Sequence, residues 1–176
     1  LTGTTIATGT GAAGSARFAS VAPSNSLFGA RFDTAQAGGM ANFTIDTFIK
    51  TQGGTSRQFQ LILSTSAASI SVSAPVVNLR HQAGIWSLYN GATWLPVYGL
   101  NVLSPGAWHR LRVTGRDWGQ SGARIDIELS SAGGSTFTSA AAGLTTFQTT
   151  AAKSALARYF VFTGNYDSNP GFFVDN

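Results

Sequence analysis

Short segments in which apolar and polar residues alternate recur along the chain, separated by clusters of Gly, Ser, Pro and Asn. Alternation with period two sends successive side chains to opposite faces of a strand, and helical periodicity is scarce here. The pattern predicts about ten strands, at residues 26–33, 43–51, 57–65, 68–73, 84–89, 93–98, 108–114, 124–130, 158–163 and 172–175. Residues 1–22, rich in Thr, Gly and Ala, read as a weak edge strand plus loop. Residues 139–157 are rich in Ala and Thr, and 149–157 suit one or two helical turns. No composition shift and no internal repeat marks a second domain, so residues 1–176 are expected to form one all-β sandwich or barrel.

Parity then assigns faces. Phe43, Ile45 and Ile49 share one side of their strand, with Asp46 and Lys50 on the other. Ile125, Ile127 and Leu129 point inward and Asp126 and Glu128 outward. His109 goes inward with Leu111 and Val113, which leaves Arg110 and Arg112 outside. Pairing Val113 with Ile125 would set Arg112 opposite Asp126 and Arg110 opposite Glu128, a register that charge complementarity favours. Asn90-Gly91 is the preferred dipeptide of a two-residue type I′ hairpin. Such a loop pairs Tyr89 with Ala92, Ser87 with Trp94 and Trp86 with Leu95. One hairpin face then carries Trp86, Leu88, Leu95 and Val97, a core face, and the other carries Tyr89, Trp94 and Pro96 beside Ser87. Two aromatics on a face that should meet solvent call for an explanation.

At the level of motifs the chain resembles a family. Phe43-Thr-Ile-Asp-Thr-Phe-Ile-Lys50 is similar to a strand of laminin-G-like domains, and Gly106-Ala-Trp-His-Arg-Leu-Arg-Val-Thr114 is similar to their Trp-His strand. Phe172-Phe-Val-Asp-Asn176 resembles the closing strand shared by that group and several carbohydrate-binding modules. The resemblance implies the concanavalin A-like jelly roll, a two-sheet antiparallel β-sandwich with one concave sheet. It further implies glycan binding, a structural calcium ion, and a buried position for Trp108.

Composition narrows the function classes. Hydrophobic residues make up 43%, including 12 Phe, 4 Trp and 4 Tyr, enough for a large core and too many for intrinsic disorder. Charged residues are only 10%, far below the roughly 25% usual in soluble domains, so neutral polar groups must keep the surface wet. That balance suits a secreted or virion-borne β-protein. The net charge is +4, but the 11 Lys and Arg residues form no run, which argues against nucleic acid. Cysteine is absent, which excludes disulfides, thiolate metal sites and thiol nucleophiles. No apolar run approaches the roughly 18 residues of a membrane span, and no signal peptide is visible, as expected of a mature or excised piece.

Several constellations could carry chemistry. Asp126 and Glu128 place two carboxylates on one strand face, about 7 Å apart, as glycoside hydrolysis requires; the competing reading is a pair of rim salt bridges to Arg112 and Arg110. With one Glu in the chain, the Glu-x-Asp-x-x-Glu strand of jelly-roll glucanases is missing. No nucleophile elbow accompanies the two histidines, His81 and His109; His81 is expected in a loop and His109 in the core. Polysaccharide lyases commonly pair a Tyr or His base with Arg or Lys at the uronate, and no arrangement in the sequence singles such a set out. Asn165, Asp167 and the closing-strand Asp175 could wrap a calcium ion, although the same residues make an ordinary turn. Tyr89, Trp94, Trp118 and Tyr166 are the candidate sugar-stacking platforms. The leading expectation is a non-catalytic polysaccharide-binding module of a secreted protein, beside a catalytic domain in its parent chain. A structural, adhesion or virion-surface domain is the alternative, and a glycoside hydrolase or polysaccharide lyase the third reading.

Overall fold

Among the described residues, twelve strands build two antiparallel six-stranded sheets. The computed structural model describes residues 16–19, 28–33, 42–51, 57–64, 75–117, 122–145, 159–164 and 171–175, with side chains for 42–51, 59–63, 77–117 and 122–145. The strands are β1 (Ala16–Ala19), β2 (Phe28–Asp33), β3 (Phe43–Thr51), β4 (Arg57–Ser64), β5 (Pro75–Gln82) and β6 (Ile85–Tyr89). They continue with β7 (Trp94–Pro96), β8 (Trp108–Arg116), β9 (Arg124–Ser130), β10 (Phe137–Leu144), β11 (Tyr159–Gly164) and β12 (Gly171–Asp175). The first sheet runs β1-β12-β3-β8-β9-β10 and the second β2-β11-β4-β5-β6-β7. The chain is an all-β, two-sheet jelly-roll sandwich, and its N-terminal strand lies at a sheet edge as its weak pattern predicts.

Inward parity fills the space between the sheets. Ile49, Leu111, Val113, Ile125, Ile127 and Leu129 of the first sheet are fully buried, as are Phe59, Leu61, Leu63, Val77 and Leu79 of the second. At roughly 1.5–3 kcal/mol per fully buried large aliphatic or aromatic side chain, this layer is the main stabilising term of the fold.

Two strands escape the sequence pattern. Strand β5 lies at 75–82, whereas the expected strand at 68–73 falls outside the described residues, as do the helical turns expected at 149–157. Strand β10 forms from an Ala-rich segment with little apolar contrast. His81, expected in a loop, sits in β5 with its ring wholly buried.

The two hairpin registers also differ from expectation. Tyr89 pairs with Trp94 and Leu88 with Leu95, because Asn90 Oδ1 accepts the Ala92 and Thr93 amides at 2.9 and 2.8 Å and widens the turn to four residues. The tight two-residue turn occurs one hairpin earlier, where Ala83 and Gly84 both adopt positive φ (49° and 79°). Val113 pairs with Ile127 rather than Ile125, which brings Arg112 opposite Glu128 and Thr114 opposite Asp126. Both changes preserve parity, so every face assignment in these strands survives.

Candidate functional site

The outer face of the second sheet combines polar side chains with deep burial. Phe59, Leu61, Val77, Leu79, Trp86 and Leu88 take the core side of β4, β5 and β6. Alternation therefore sends Gln60, Asn78, Arg80 and Ser87 to the other side. In register, Gln60 lies beside Arg80, Arg80 beside Ser87, and Ser87 beside Pro96. Gln60 and Asn78 are nevertheless 0% exposed and Ser87 only 7%. A sheltered polar floor on the non-core side of a sandwich is expensive unless its groups are paired.

Pairing is incomplete. The Gln60 side-chain amide donates to Asn78 Oδ1, which fixes the Asn78 amide in place. Asn78 Nδ2 finds no acceptor among the protein groups, leaving a buried donor that costs about 1–3 kcal/mol. The Arg80 guanidinium lies 3.7 Å from the centroid of the Trp94 ring, a close cation–π stack. Trp94 also packs on Tyr89, with ring centroids 5.3 Å apart at 49°. Tyr89 and Trp94 are half-buried rather than solvent-facing, and one face of the Trp94 ring is taken by Arg80. The Trp94 ring is therefore not the open stacking platform expected, since Arg80 covers one of its faces. Gln60, Asn78 and Arg80 were missed in the sequence, although their shared parity opposite Phe59, Leu61, Val77 and Leu79 is visible there.

The outer face of the first sheet carries an ion-pair network. Asp46 receives Arg110 Nε and Nη2 at 2.9 Å each, and Arg112 Nε and Nη2 at 3.0 and 2.7 Å. Partial burial works to raise the Asp46 pKa, but the hydrogen bonds from Arg110 and Arg112 outweigh it and hold the carboxyl below the usual carboxylate range. Glu128 meets Arg112 at 3.4 Å, and Asp126 meets Arg116 at 3.1 Å while accepting the Gly143 amide at 2.7 Å. Both carboxylates considered for acid–base work are thus engaged with arginines. Arg110 pairs with Asp46 instead of Glu128, and both Arg110 and Arg112 stack on Phe137, at 4.9 and 4.4 Å. Trp108, expected to be buried, is half-buried on this face with Lys50 Nζ 5.9 Å from its ring centroid. Its parity with Arg110 and Arg112 explains that placement.

The histidines hold a loop. His81 Nε2 accepts the Leu103 amide at 3.3 Å and His109 Nε2 accepts the Ser104 amide at 3.0 Å, so one ring from each sheet pins consecutive residues of the β7–β8 connection. His109 Nδ1 lies 3.1 Å from the Ser130 carbonyl, which fixes its proton there. Burial, and secondarily the facing His109, push the His81 pKa down to about 4. Both imidazoles are spent as acceptors inside the core and cannot reach a substrate.

Trp118, Tyr166, Asn165 and Asp167 lie outside the described residues, and Asp175 is described in its backbone alone, at the end of β12. Among the described residues no three His, Cys, Asp or Glu side chains cluster as metal ligands.

No protein-family model matches the chain, and no curated protein matches it in sequence. Its fold, however, has solved neighbours. A marine alginate lyase from Aplysia kurodai matches with a TM-score of 0.62 at 11% identity, covering 98% of this chain and 85% of that one. An endo-β-1,4-glucuronan lyase from the fungus Trichoderma reesei matches with a TM-score of 0.60 at 11% identity, covering 97% and 84%. Both of these neighbours are polysaccharide lyases. A third, another alginate lyase, gives 0.55 at 12% identity over 93% and 79% of the two chains. At these identities the likeness shows the fold alone, a two-sheet β-sandwich. It overturns the expectation of a non-catalytic polysaccharide-binding module, because the solved structures that match almost the whole chain include alginate and glucuronan lyases.

Proposed function

We propose that the chain is a polysaccharide lyase that cleaves a uronate-containing polymer by β-elimination on the outer face of its second sheet. The observation that carries the reading is the buried, unpartnered Asn78 amide beside Arg80 and Tyr89, in a fold shared with alginate and glucuronan lyases.

Removing the proton at C5 of a uronate drives negative charge into its carboxyl group. Fixed donors aimed at that carboxyl lower the barrier because they need no reorganisation as the charge grows. Asn78 offers its amide hydrogens, and Arg80 offers a guanidinium fork held flat by Trp94. A proton carrier must complete the set; both histidines are locked in the core, and among the described residues the phenol level with Asn78 is Tyr89. Tyr89 transfers the proton; the C5–H electron pair becomes the C4=C5 double bond; the C4–O4 bond breaks and O4 leaves protonated. Neither water nor a metal enters that balance. Such a substrate lies outside the cell, in keeping with the secreted character of the composition.

Incubating the protein with alginate and with glucuronan should generate the ultraviolet absorbance of an unsaturated uronate end. Tyr89→Phe should lower kcat by about two orders of magnitude or more while leaving the melting temperature close to wild type. No unsaturated product from any uronate polymer, or full activity in Tyr89→Phe, would remove the assignment.

A further inference from the structure

The outer face of the second sheet does not end at the sheltered floor. Continuing the β6–β7 register by its next hydrogen bond, Val97 N to Trp86 O at 2.8 Å, brings Tyr98 level with Ile85. Ile85 in turn pairs with Gln82 of β5. Three successive rows therefore climb the same face: Asn78, Tyr89 and Trp94; then Arg80, Ser87 and Pro96; then Gln82, Ile85 and Tyr98. Exposure rises along them, from 0% at Asn78 through 7% at Ser87 to 53% at Ile85 and 82% at Tyr98. A cleft of about 260 Å³ opens at the last row, between Ile85, Pro96 and Tyr98.

Tyr98 is exposed on a segment that is tied down. Gly99, at φ 87°, has no room for a side chain, because a Cβ there would stand 2.9 Å from the Ala140 carbonyl oxygen. Asn101 gives its backbone amide to Ser139 Oγ at 2.9 Å and its side-chain amide to Thr138 Oγ1 at 2.8 Å, and its carbonyl accepts Trp86 Nε1 at 2.8 Å. A large exposed ring carried on a backbone segment with so many anchors, beside an exposed Ile, is a preformed contact surface. Next to it, Gln82 Oε1 is buried without a hydrogen-bond partner, an acceptor suited to a hydroxyl.

We infer that Ile85, Tyr98 and Gln82 form an outer subsite that grips the same polysaccharide chain about two rows, roughly 13 Å, from the Asn78–Tyr89 row. The ring of Tyr98 stacks on the apolar face of a sugar and Gln82 accepts one of its hydroxyls. The occupant is the substrate polymer because this row continues the proposed catalytic face without a break, and the inference rests on the lyase reading. Tyr98 is a positioning residue: it acts on long substrates only, and it makes the enzyme prefer polymer over short oligosaccharide.

The test compares initial rates on polymeric alginate or glucuronan, whichever is cleaved, with those on its trisaccharide. Tyr98→Ala should raise KM for the polymer about five- to tenfold, with kcat and the trisaccharide KM unchanged, and Tyr98→Phe should restore the polymer value because the stacking ring returns. The melting temperature should stay put, since the ring leaves solvent rather than core. A wild type that cleaves polymer, with Tyr98→Ala equally efficient on polymer and trisaccharide, overturns this subsite and leaves the lyase reading standing. A wild type inactive on all uronate polymers overturns both.

Discussion

Acid should loosen the sandwich through His81 before it reaches the carboxylates. His81 is fully buried, its Nε2 accepts the Leu103 amide, and its Nδ1 finds no partner. The group facing it across the core is His109 of β8, and Trp86 of β6 packs beside it at 5.0 Å; the buried polar residues described include no carboxylate to hold an added proton. The folded state keeps the ring neutral down to about 4, against an ordinary 6.5. Between those values the unfolded chain binds the proton and the folded chain does not. Stability from this group is therefore intact above about pH 6.5, falls as the pH drops toward 4, and changes no further below it. At about 1.4 kcal/mol per pH unit the loss is about 3 kcal/mol, a large part of the 5–15 kcal/mol typical of a domain. Urea unfolding followed by tryptophan fluorescence at half-unit pH steps would measure it, with His81→Gln as the variant that cannot titrate. His81→Gln should be less stable at neutral pH, and its stability should vary much less between pH 6.5 and 4. Parallel pH curves for the two proteins would refute the assignment of a neutral, loop-pinning imidazole.

Two further substitutions probe the core and the site. Leu111→Asp puts an unpaired carboxylate among fully buried side chains between the sheets and should abolish folding; a soluble variant with a wild-type melting temperature would show the face assignment to be wrong. Trp94→Ala removes the ring under Arg80 and should cost about 1–2 kcal/mol of stability, less than a core tryptophan, together with most of the polymer-cleaving activity, because Arg80 loses its support; thermal unfolding and initial rates on one preparation separate the two effects.

Faces were readable from the sequence and registers were not, for a single physical reason. An apolar pattern of period two is satisfied equally by pairings that differ by two residues. Arg112 finds an acid opposite it whether that acid is Asp126 or Glu128, so charge does not break the tie. At the Asn90 turn the decision fell to side-chain hydrogen bonds, which a dipeptide preference does not include. Strand β5 was obscured because His81 occupies a core position, so a polar residue breaks the alternation set by Val77 and Leu79. Strand β10 was obscured because Ala140, Ala141 and Ala142 offer no contrast between faces. The site suffered most. Gln60, Asn78 and Arg80 read as ordinary solvent-facing partners of an apolar strand, and nothing local says that the side they face is closed to water.

The second sheet's outer face breaks the usual rules of burial in two opposite senses. At one end a side-chain amide is hidden with its donors unsatisfied, and at the other an aromatic ring stands exposed to water. A face that merely stabilised the sandwich would be better served by aliphatics at both Gln60 and Asn78, which removes the buried pair whole, and by a polar residue at Tyr98. The first sheet's outer face shows what a stabilising surface looks like here: Asp46, Asp126 and Glu128 are each matched to arginines, with Phe137 under the guanidinium groups. Paired charges of that kind have little left to offer a ligand. On the lyase reading, the unsatisfied donor and the exposed ring both gain partners when substrate binds, through an acceptor for the floor and an apolar face for the rim. An acidic polysaccharide carries both, on successive sugars of one chain.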